Sequence, residues 1–228
     1  QGLGRRRFLQ TASGMAAAFL AMNEVHGPLY AVSRAEAQQP DAAAARAAAL
    51  KGQFIMDVHT HFLRPDTRIM TFVNARRAVG QAGWNPDLVG KEQTIQDLME
   101  ASWFKEVFLD SDTKVALISG APSEEPIDWF LTNDMKFDAR KRVNDASGTK
   151  RVLSHAIFTP GRPGWMEEVE RSIEQLKPDS FKGYTIGDNT NKHLAIHPWR
   201  MDDEKLLYPF YERLLKAGIN TVCVHKGL

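Results

Sequence analysis

The sequence has one cysteine, almost no charge imbalance and no long hydrophobic run. A single cysteine, Cys223, excludes an intramolecular disulfide framework and a cysteine-rich zinc module. With 29 basic and 28 acidic residues the formal charge is +1, so the basic excess or basic cluster of an electrostatic nucleic-acid binder is missing. The longest apolar stretch is too short and too interrupted for an ordinary membrane span. Any metal site must therefore use histidine, carboxylate or lysine side chains.

Residues 1–37 are typical of an export signal. The run Arg5-Arg6-Arg7-Phe8-Leu9 precedes a mildly apolar, alanine-rich stretch, and Ala35-Glu36-Ala37 fits a signal-peptidase site. The arginine run resembles a twin-arginine motif, and an ordinary basic amphipathic helix is the alternative. We expect a periplasmic or secreted protein that has no membrane partner once this segment is cleaved. Residues 38–52 are expected to be a helical lead-in or linker, and residues 53–228 a partial barrel domain.

Strand and helix patterns alternate through the rest of the chain. The β-rich runs are 54–62, 114–119, 152–158, 181–186 and 221–225, and helical patterns cover 94–104, 128–145, 165–176 and 202–217. Short apolar strands separated by amphipathic helices predict a parallel α/β fold. An open doubly wound sheet and a (β/α)8 barrel both satisfy this pattern. The doubly wound alternative gains no support from nucleotide motifs, since the sequence has neither a G-x-G-x-x-G fingerprint after the first strand nor a Walker motif.

Two histidines, His59 and His61, follow each other with a spacing of two near the end of the first strand. This spacing puts both imidazoles on one face of a strand, where they can bind one divalent ion. Asp57 shares that face and is a candidate to orient a ring through its second nitrogen. The carboxyl end of a barrel strand is where barrel enzymes place their catalytic groups. The alternative is a surface or packing pair.

His225 ends the fifth predicted strand in the same way, just before Lys226-Gly227. A histidine at a second strand end supports a site at this face of the sheet, and we favour a ligand role for it. The alternative is a strand-end histidine that makes one hydrogen bond.

These two histidine motifs carry a family resemblance. Ile55-Met56-Asp57-Val58-His59-Thr60-His61-Phe62, together with Val224-His225-Lys226-Gly227, resembles the amidohydrolase superfamily, and within it the aminocarboxymuconate semialdehyde decarboxylase-like branch. The resemblance implies a (β/α)8 TIM barrel of the metal-dependent hydrolase type, of which this sequence holds the N-terminal five strands. It implies one divalent metal ion, with zinc expected, bound by His59, His61 and His225. The family also uses a histidine from strand six and an aspartate from strand eight. Both would lie beyond Leu228, and we interpret their absence as truncation.

Four other basic residues leave alternatives open. Lys182, near the start of the fourth predicted strand, is a metal-bridging lysine, a substrate or structural charge in the barrel, or a solvated strand-start residue. His155 in the third strand is expected to be a core histidine, and a ligand role is the alternative. His193 and His197 fall in a polar loop that either contacts substrate or is simply solvated.

The predicted activity is metal-dependent hydrolysis of a C–N or C–O bond in a small-molecule substrate by a metal-activated water. One alternative is a metal-dependent, non-hydrolytic decarboxylase of an unsaturated or aromatic carboxylic acid. Another is an inactive fragment of such an enzyme, and we expect this chain alone to be inactive. Nucleic acid is not an expected partner, and a homo-oligomer is compatible with the sequence.

Overall fold

The structure is a computed structural model that describes residues 12–26, 34–50, 52–187, 193 and 195–225. Contacts divide the chain into two compact units, Gln1–Phe54 and Ile55–Leu228. The domain limits and the export signal predicted above remain predictions. Within the described ranges, no helix combines the length and the apolar character that crossing a membrane requires.

The first unit is helical in its described part. Its helices are α1 (Ala12–His26), α2 (Arg34–Gln38) and α3 (Pro40–Leu50), and each contacts the other two. Alanine, the strongest helix former, dominates α3 and explains why this segment is helical.

The second unit is built on one sheet of five parallel strands. The strands are β1 (Met56–Thr60), β2 (Val115–Ile118), β3 (Val152–Ile157), β4 (Ser180–Tyr184) and β5 (Val222–His225), and their spatial order follows the chain. All five lie inside or within one residue of the predicted runs. The parallel α/β prediction is therefore confirmed, and the sequential order is that of a barrel rather than of a doubly wound sheet.

Helices connect the strands. They are α4 (Thr71–Gln81) and α5 (Glu100–Phe104) between β1 and β2, α6 (Asn133–Ser147), α7 (Trp165–Arg171) and α8 (Tyr208–Lys216). Short 3-10 turns occupy Pro86–Leu88, Ile95–Leu98 and Pro126–Asp128, and π-type turns occupy Lys105–Leu109 and Ser172–Leu176.

Two asparagines hold α6 against β3. Asn133 in the first turn donates to the carbonyl of Ile157 and accepts from its N–H, at 3.1 and 2.7 Å. Asn144 near the other end makes the same pair of bonds with Val152, at 2.9 and 2.8 Å. Because both ends of the helix are clamped to one strand, α6 has a fixed register against the sheet. That register fixes where the side chains of its first turns point.

Three predicted helices differ from the observed ones. The helix predicted over 128–145 begins at Asn133, where the Thr132 side chain caps it by accepting from the N–H of Met135. The pattern over 94–104 predicts one helix, but the chain there forms a 3-10 turn and then α5, because Met99 between them is extended. The helix predicted from residue 202 begins at Tyr208 instead. Pro209 explains the difference, since proline is accommodated in the first turn of a helix and disrupts its interior.

Hydrophobic side chains from alternate strand positions pack under the helices in two clusters. The first joins β1–β3 to α5 and α6 and contains Phe62, Trp103, Ala116, Ile118, Leu131, Ala139, Val143 and Val152. The second joins β3 and β4 to α7 and α8 and contains Ala156, Phe158, Val169, Phe181, Trp199, Leu207, Phe210 and Leu214. The opposite face of the strands is more polar. It carries Ser180, Lys182 and Tyr184 from β4, which leaves this face for a site.

Candidate functional site

A β-bulge changes the direction in which the side chains at the end of β1 point. Asp57 pairs with Ala116 of β2, but Thr60 pairs with Ile118, so β1 has one more residue than β2 over this interval. Thr60 is buried and its hydroxyl donates to the carbonyl of Leu117 at 3.1 Å, which holds the irregular segment to β2. Bulges are common beside active sites because they redirect side chains.

The two histidines of this segment lie edge to face, with ring centroids 4.6 Å apart. Nδ1 of His61 lies 3.2 Å from the carbonyl oxygen of Ser119. Burial, with a smaller effect of the neighbouring His59, lowers the pKa of His61 to about 4, so the ring is neutral at pH 7. A carbonyl only accepts, so Nδ1 carries the proton and the Nε2 lone pair is free. This is the tautomer that a metal-ligating histidine needs.

Lys182 on β4 is 6% exposed and reaches across the sheet to β1. Its Nζ lies 2.9 Å from Nε2 of His59 and 5.5 Å from the centroid of the Tyr184 ring. Two strands separate β1 from β4, so this contact requires a curled sheet with both side chains on its concave face. Burial lowers the pKa of Lys182. The alternative of a solvated strand-start lysine was wrong, because the sheet curls over this side chain.

His225 and Asp57 both act electrostatically on His59, but their direct contacts in the described part of the chain are with groups other than the two imidazoles. The His225 ring is stacked on Tyr184, with centroids 4.9 Å apart and planes inclined by 17°. Lys226-Gly227, the rest of its motif, lie outside the described residues. The Asp57 carboxylate accepts from the backbone N–H of His59 at 3.0 Å and so fixes the strand end rather than an imidazole. The ligand role of His225 and the orienting role of Asp57 remain predictions.

His59 and His61 fit a divalent metal as a pair. Neutral imidazoles that converge from one strand end are suitable nitrogen ligands, and the Ser119 carbonyl fixes one tautomer. The Lys182 amino group contacts Nε2 of His59, so this nitrogen would hold a metal only if the lysine contact were released. Among the described residues, no set of three or more histidine, cysteine or carboxylate side chains is arranged as a metal-binding group.

A cavity of about 210 Å³ borders His61 on the side of α5. Carboxylates of Asp57, Asp97 and Glu106 line it together with Trp103. The cavity is smaller than the roughly 300–1,000 Å³ typical of ligand pockets. It therefore has room for water or a small polar group beside the histidine pair.

His155 is a core histidine, as predicted. It is 3% exposed, and its Nδ1 lies 2.5 Å from the hydroxyl of Ser180 on β4. Burial, with smaller effects of the nearby Lys136 and Lys182, lowers its pKa to about 3. The ring is therefore neutral at pH 7 and bridges β3 to β4.

The polar loop after β4 is partly described. Nδ1 of His197 lies 3.4 Å from the Glu124 carboxylate, which also pairs with Arg162 at 3.2 Å. Arg162 in turn donates to the carbonyl of Gly187. These contacts join the loops after β2, β3 and β4 at the carboxyl end of the sheet. His193 is exposed, and residues 188–192 and 194 lie outside the described residues.

Sequence reasoning missed Lys136 and Ser119, which the structure buries at the carboxyl end of β2. Lys136 is completely buried, and burial lowers the pKa of its amino group to about 7. One signal could have found it, because Lys136 shares the buried stripe of α6 with Ala139 and Val143 at helical spacing. No comparable signal marks Ser119.

The concave side near these residues is rich in basic groups. His59, His61, His155, Lys136 and Lys182 act electrostatically within this group, and Asp57, Glu168 and Asp179 act in the opposite direction on His59, Lys136 and His155. Such an interior disfavours further protonation, and it favours ligands that are electron-rich or negatively charged.

Comparisons with known proteins support the fold. No protein-family model matches the chain, and no curated protein matches it. Similar solved structures include an uncharacterized TIM-barrel protein from Bordetella bronchiseptica, with 15% identity and a TM-score of 0.50 over 75% of this chain and 54% of that one. The fold is accordingly a partial TIM barrel.

Two other solved structures are less similar. One is 4-oxalomesaconate hydratase LigJ from Rhodopseudomonas palustris, with 16% identity and a TM-score of 0.40 over 76% of this chain and 52% of that one. The other is SuiB from Streptococcus suis bound to S-adenosylmethionine, with 12% identity and a TM-score of 0.37 over 95% of this chain and 62% of that one. The chain thus spans between about half and three fifths of the length of these structures.

Proposed function

We propose that the chain carries part of the active site of a metal-dependent hydrolase that acts on a C–N or C–O bond of a small molecule. One observation carries this proposal: His59 and His61 converge at the carboxyl end of β1, and the Ser119 carbonyl leaves Nε2 of His61 free. A divalent ion such as zinc would supply a water of lowered pKa and an electrophile for a carbonyl oxygen.

The chain's own residues would then prepare the site. His59 and His61 would hold the ion, and Ser119 would orient the His61 ring through its carbonyl. Lys182 would hold a proton at Nζ beside the strand-one pair. His225 and Tyr184, stacked at the ends of β5 and β4, would line the site beside His59 and Lys182.

Elemental analysis of the purified chain tests the metal site. We expect about one equivalent of zinc or another divalent transition metal after loading and dialysis. The His59→Ala/His61→Ala variant should lose it, while the control His193→Ala, at an exposed position, should keep it. Equal metal content in the double variant, with an unchanged far-UV spectrum, would refute the site.

Product analysis on the metal-loaded protein tests the reaction. Esters, amides and lactones serve as hydrolase substrates, and unsaturated and aromatic carboxylic acids as decarboxylase substrates. Hydrolysis products lost in the double variant would support the proposal, whereas release of carbon dioxide would replace it with the decarboxylase alternative. A chain that binds metal but turns over neither set would correspond to the inactive fragment.

A further inference from the structure

Two buried polar atoms at the carboxyl end of β2 have no hydrogen-bond partner among the described residues. They are Nζ of Lys136 and Oγ of Ser119, and both residues are 0% exposed. Natural proteins rarely leave buried donors unpaired, because each such group loses its bonds to water and gains nothing in return. Two such groups at one strand end indicate a missing acceptor.

Gly120 places the lysine against the strand end. A Cβ at this position would lie 3.3 Å from Nζ of Lys136 and 3.2 Å from the carbonyl oxygen of Leu131. A larger residue would therefore displace the amino group or the backbone of Leu131. The glycine lets the amino group approach the backbone right beside Ser119, whose carbonyl holds the His61 ring.

No carboxylate among the described residues is in direct contact with the Lys136 amino group. Glu168 and Lys182 are the charged groups that act electrostatically on Lys136, and they act in opposite directions. The Glu168 carboxylate is already occupied, because it accepts from Arg171 at 2.7 and 2.9 Å and from Asn133 at 2.9 Å. A second lysine, Lys182, increases the need for an anion.

We propose that Lys136 and Ser119 form an oxyanion-binding subsite beside the histidine pair, which takes the carboxylate of a small organic acid or an inorganic phosphate. An ammonium offers three N–H donors and a hydroxyl offers one O–H donor, which suits an oxyanion and no cationic or apolar ligand. The subsite rests on the proposed function in one respect only, namely that the bound anion would be a group of the substrate. Binding of the anion itself needs no metal.

Calorimetric titration of the chelator-treated full chain tests the subsite. Sodium benzoate and sodium phosphate are the two probes, each at matched ionic strength, and sodium chloride is the control salt. We expect one of the two oxyanions to bind. Binding of benzoate would identify the ligand as an organic carboxylate, and binding of phosphate would identify it as a phosphate. Chloride should give no signal. Absence of binding by both oxyanions would overturn the proposal.

Three variants assign the binding to these residues. Lys136→Met and Ser119→Ala should each weaken binding of the oxyanion, by about tenfold or more for Lys136→Met, since it loses a charge-assisted bond. Lys141→Met, on the exposed side of the same helix, should leave the affinity unchanged. Unchanged affinity in both folded subsite variants would overturn the proposal even if the wild type binds the anion. The Ser119→Ala result remains decisive if Lys136→Met fails to fold.

The metal and anion experiments can fail separately. The metal content of the His59→Ala/His61→Ala variant is measured in the absence of any oxyanion. Oxyanion binding is measured after the metal has been removed. A protein that binds benzoate but no metal would keep the subsite and refute the proposed function. A protein that binds metal but neither oxyanion would refute the subsite and keep the proposed metal site.

Discussion

Replacing Lys136 with methionine should stabilise the protein at neutral pH. Burial lowers the pKa of this amino group from 10.5 to about 7, which at about 1.4 kcal/mol per pKa unit corresponds to roughly 5 kcal/mol. That penalty is comparable to the whole net stability of many domains. Methionine has a similar length and no charge, so Lys136→Met should raise the free energy of unfolding at pH 7 by several kcal/mol.

The pH dependence gives this prediction its sign. The pKa of Lys136 is lower in the folded chain than in the unfolded chain, so between pH 7 and 10.5 the unfolded chain holds more protons. The free energy of unfolding of the wild type therefore rises with pH in this window, and the full penalty is present below about pH 7. The advantage of Lys136→Met should shrink to about 1 kcal/mol by pH 10.

Urea denaturation at pH 7, 8.5 and 10 measures the effect, in buffers without carboxylate or phosphate so that no oxyanion stabilises the wild type. Lys141→Met is the matched control, because it removes an exposed lysine from the same helix and should change stability little at any pH. A Lys136→Met variant that is less stable than the wild type at pH 7 would refute the reasoning. A difference that does not change with pH would refute it as well.

Three further predictions concern other parts of the chain. Gly183→Ala should destabilise the protein by about 1–3 kcal/mol in urea denaturation, because its Cβ would lie 2.6 Å from the Phe158 ring. Lowering the pH from 6.5 to 4.5 should destabilise the wild type more than His155→Asn, because the buried imidazole, with a pKa of about 3, stays neutral in the folded chain while the unfolded chain takes up a proton. Arg5→Lys/Arg6→Lys should retain an uncleaved precursor in the cytoplasm, read by cell fractionation and N-terminal sequencing.

Each of these predictions has a control. Gly52→Ala places its Cβ where no atom lies within 4 Å and should be nearly neutral. If Gly183→Ala is equally neutral, the aromatic rings around Gly183 have room for a methyl group and the packing argument is refuted. Equal acid sensitivity of wild type and His155→Asn would assign the destabilisation to other groups. Export of the double lysine variant, at the rate of the wild type, would remove the twin-arginine interpretation.

The sequence was sufficient for the alternation of strands and helices. Short apolar runs such as 152–158 must be buried, and the periodicity of the segments between them allows only amphipathic helices to cover them. It was also sufficient to place His61 and His225 at strand ends. The carboxyl ends of parallel strands meet at one edge whatever the details of packing, so such residues can be identified as neighbours from their positions in the chain alone.

Packing decided what happens at those strand ends. The contact between Lys182 and His59 joins residues 123 positions apart, and it exists because the sheet curls enough to bring β4 over β1. A bulge that no sequence pattern marks redirects the end of β1.

The burial of Lys136 is the clearest example of a feature that the tertiary structure decides. Charged residues, Asp134 and Asp138, lie two positions away on either side, and a lysine in a helix is usually solvated. Two asparagines clamp α6 to β3 and so fix the rotation of the helix that buries this amino group. Local sequence determines which elements form. Whether a polar group meets water, a partner or neither is set by the relative placement of elements, and only the tertiary structure contains that information.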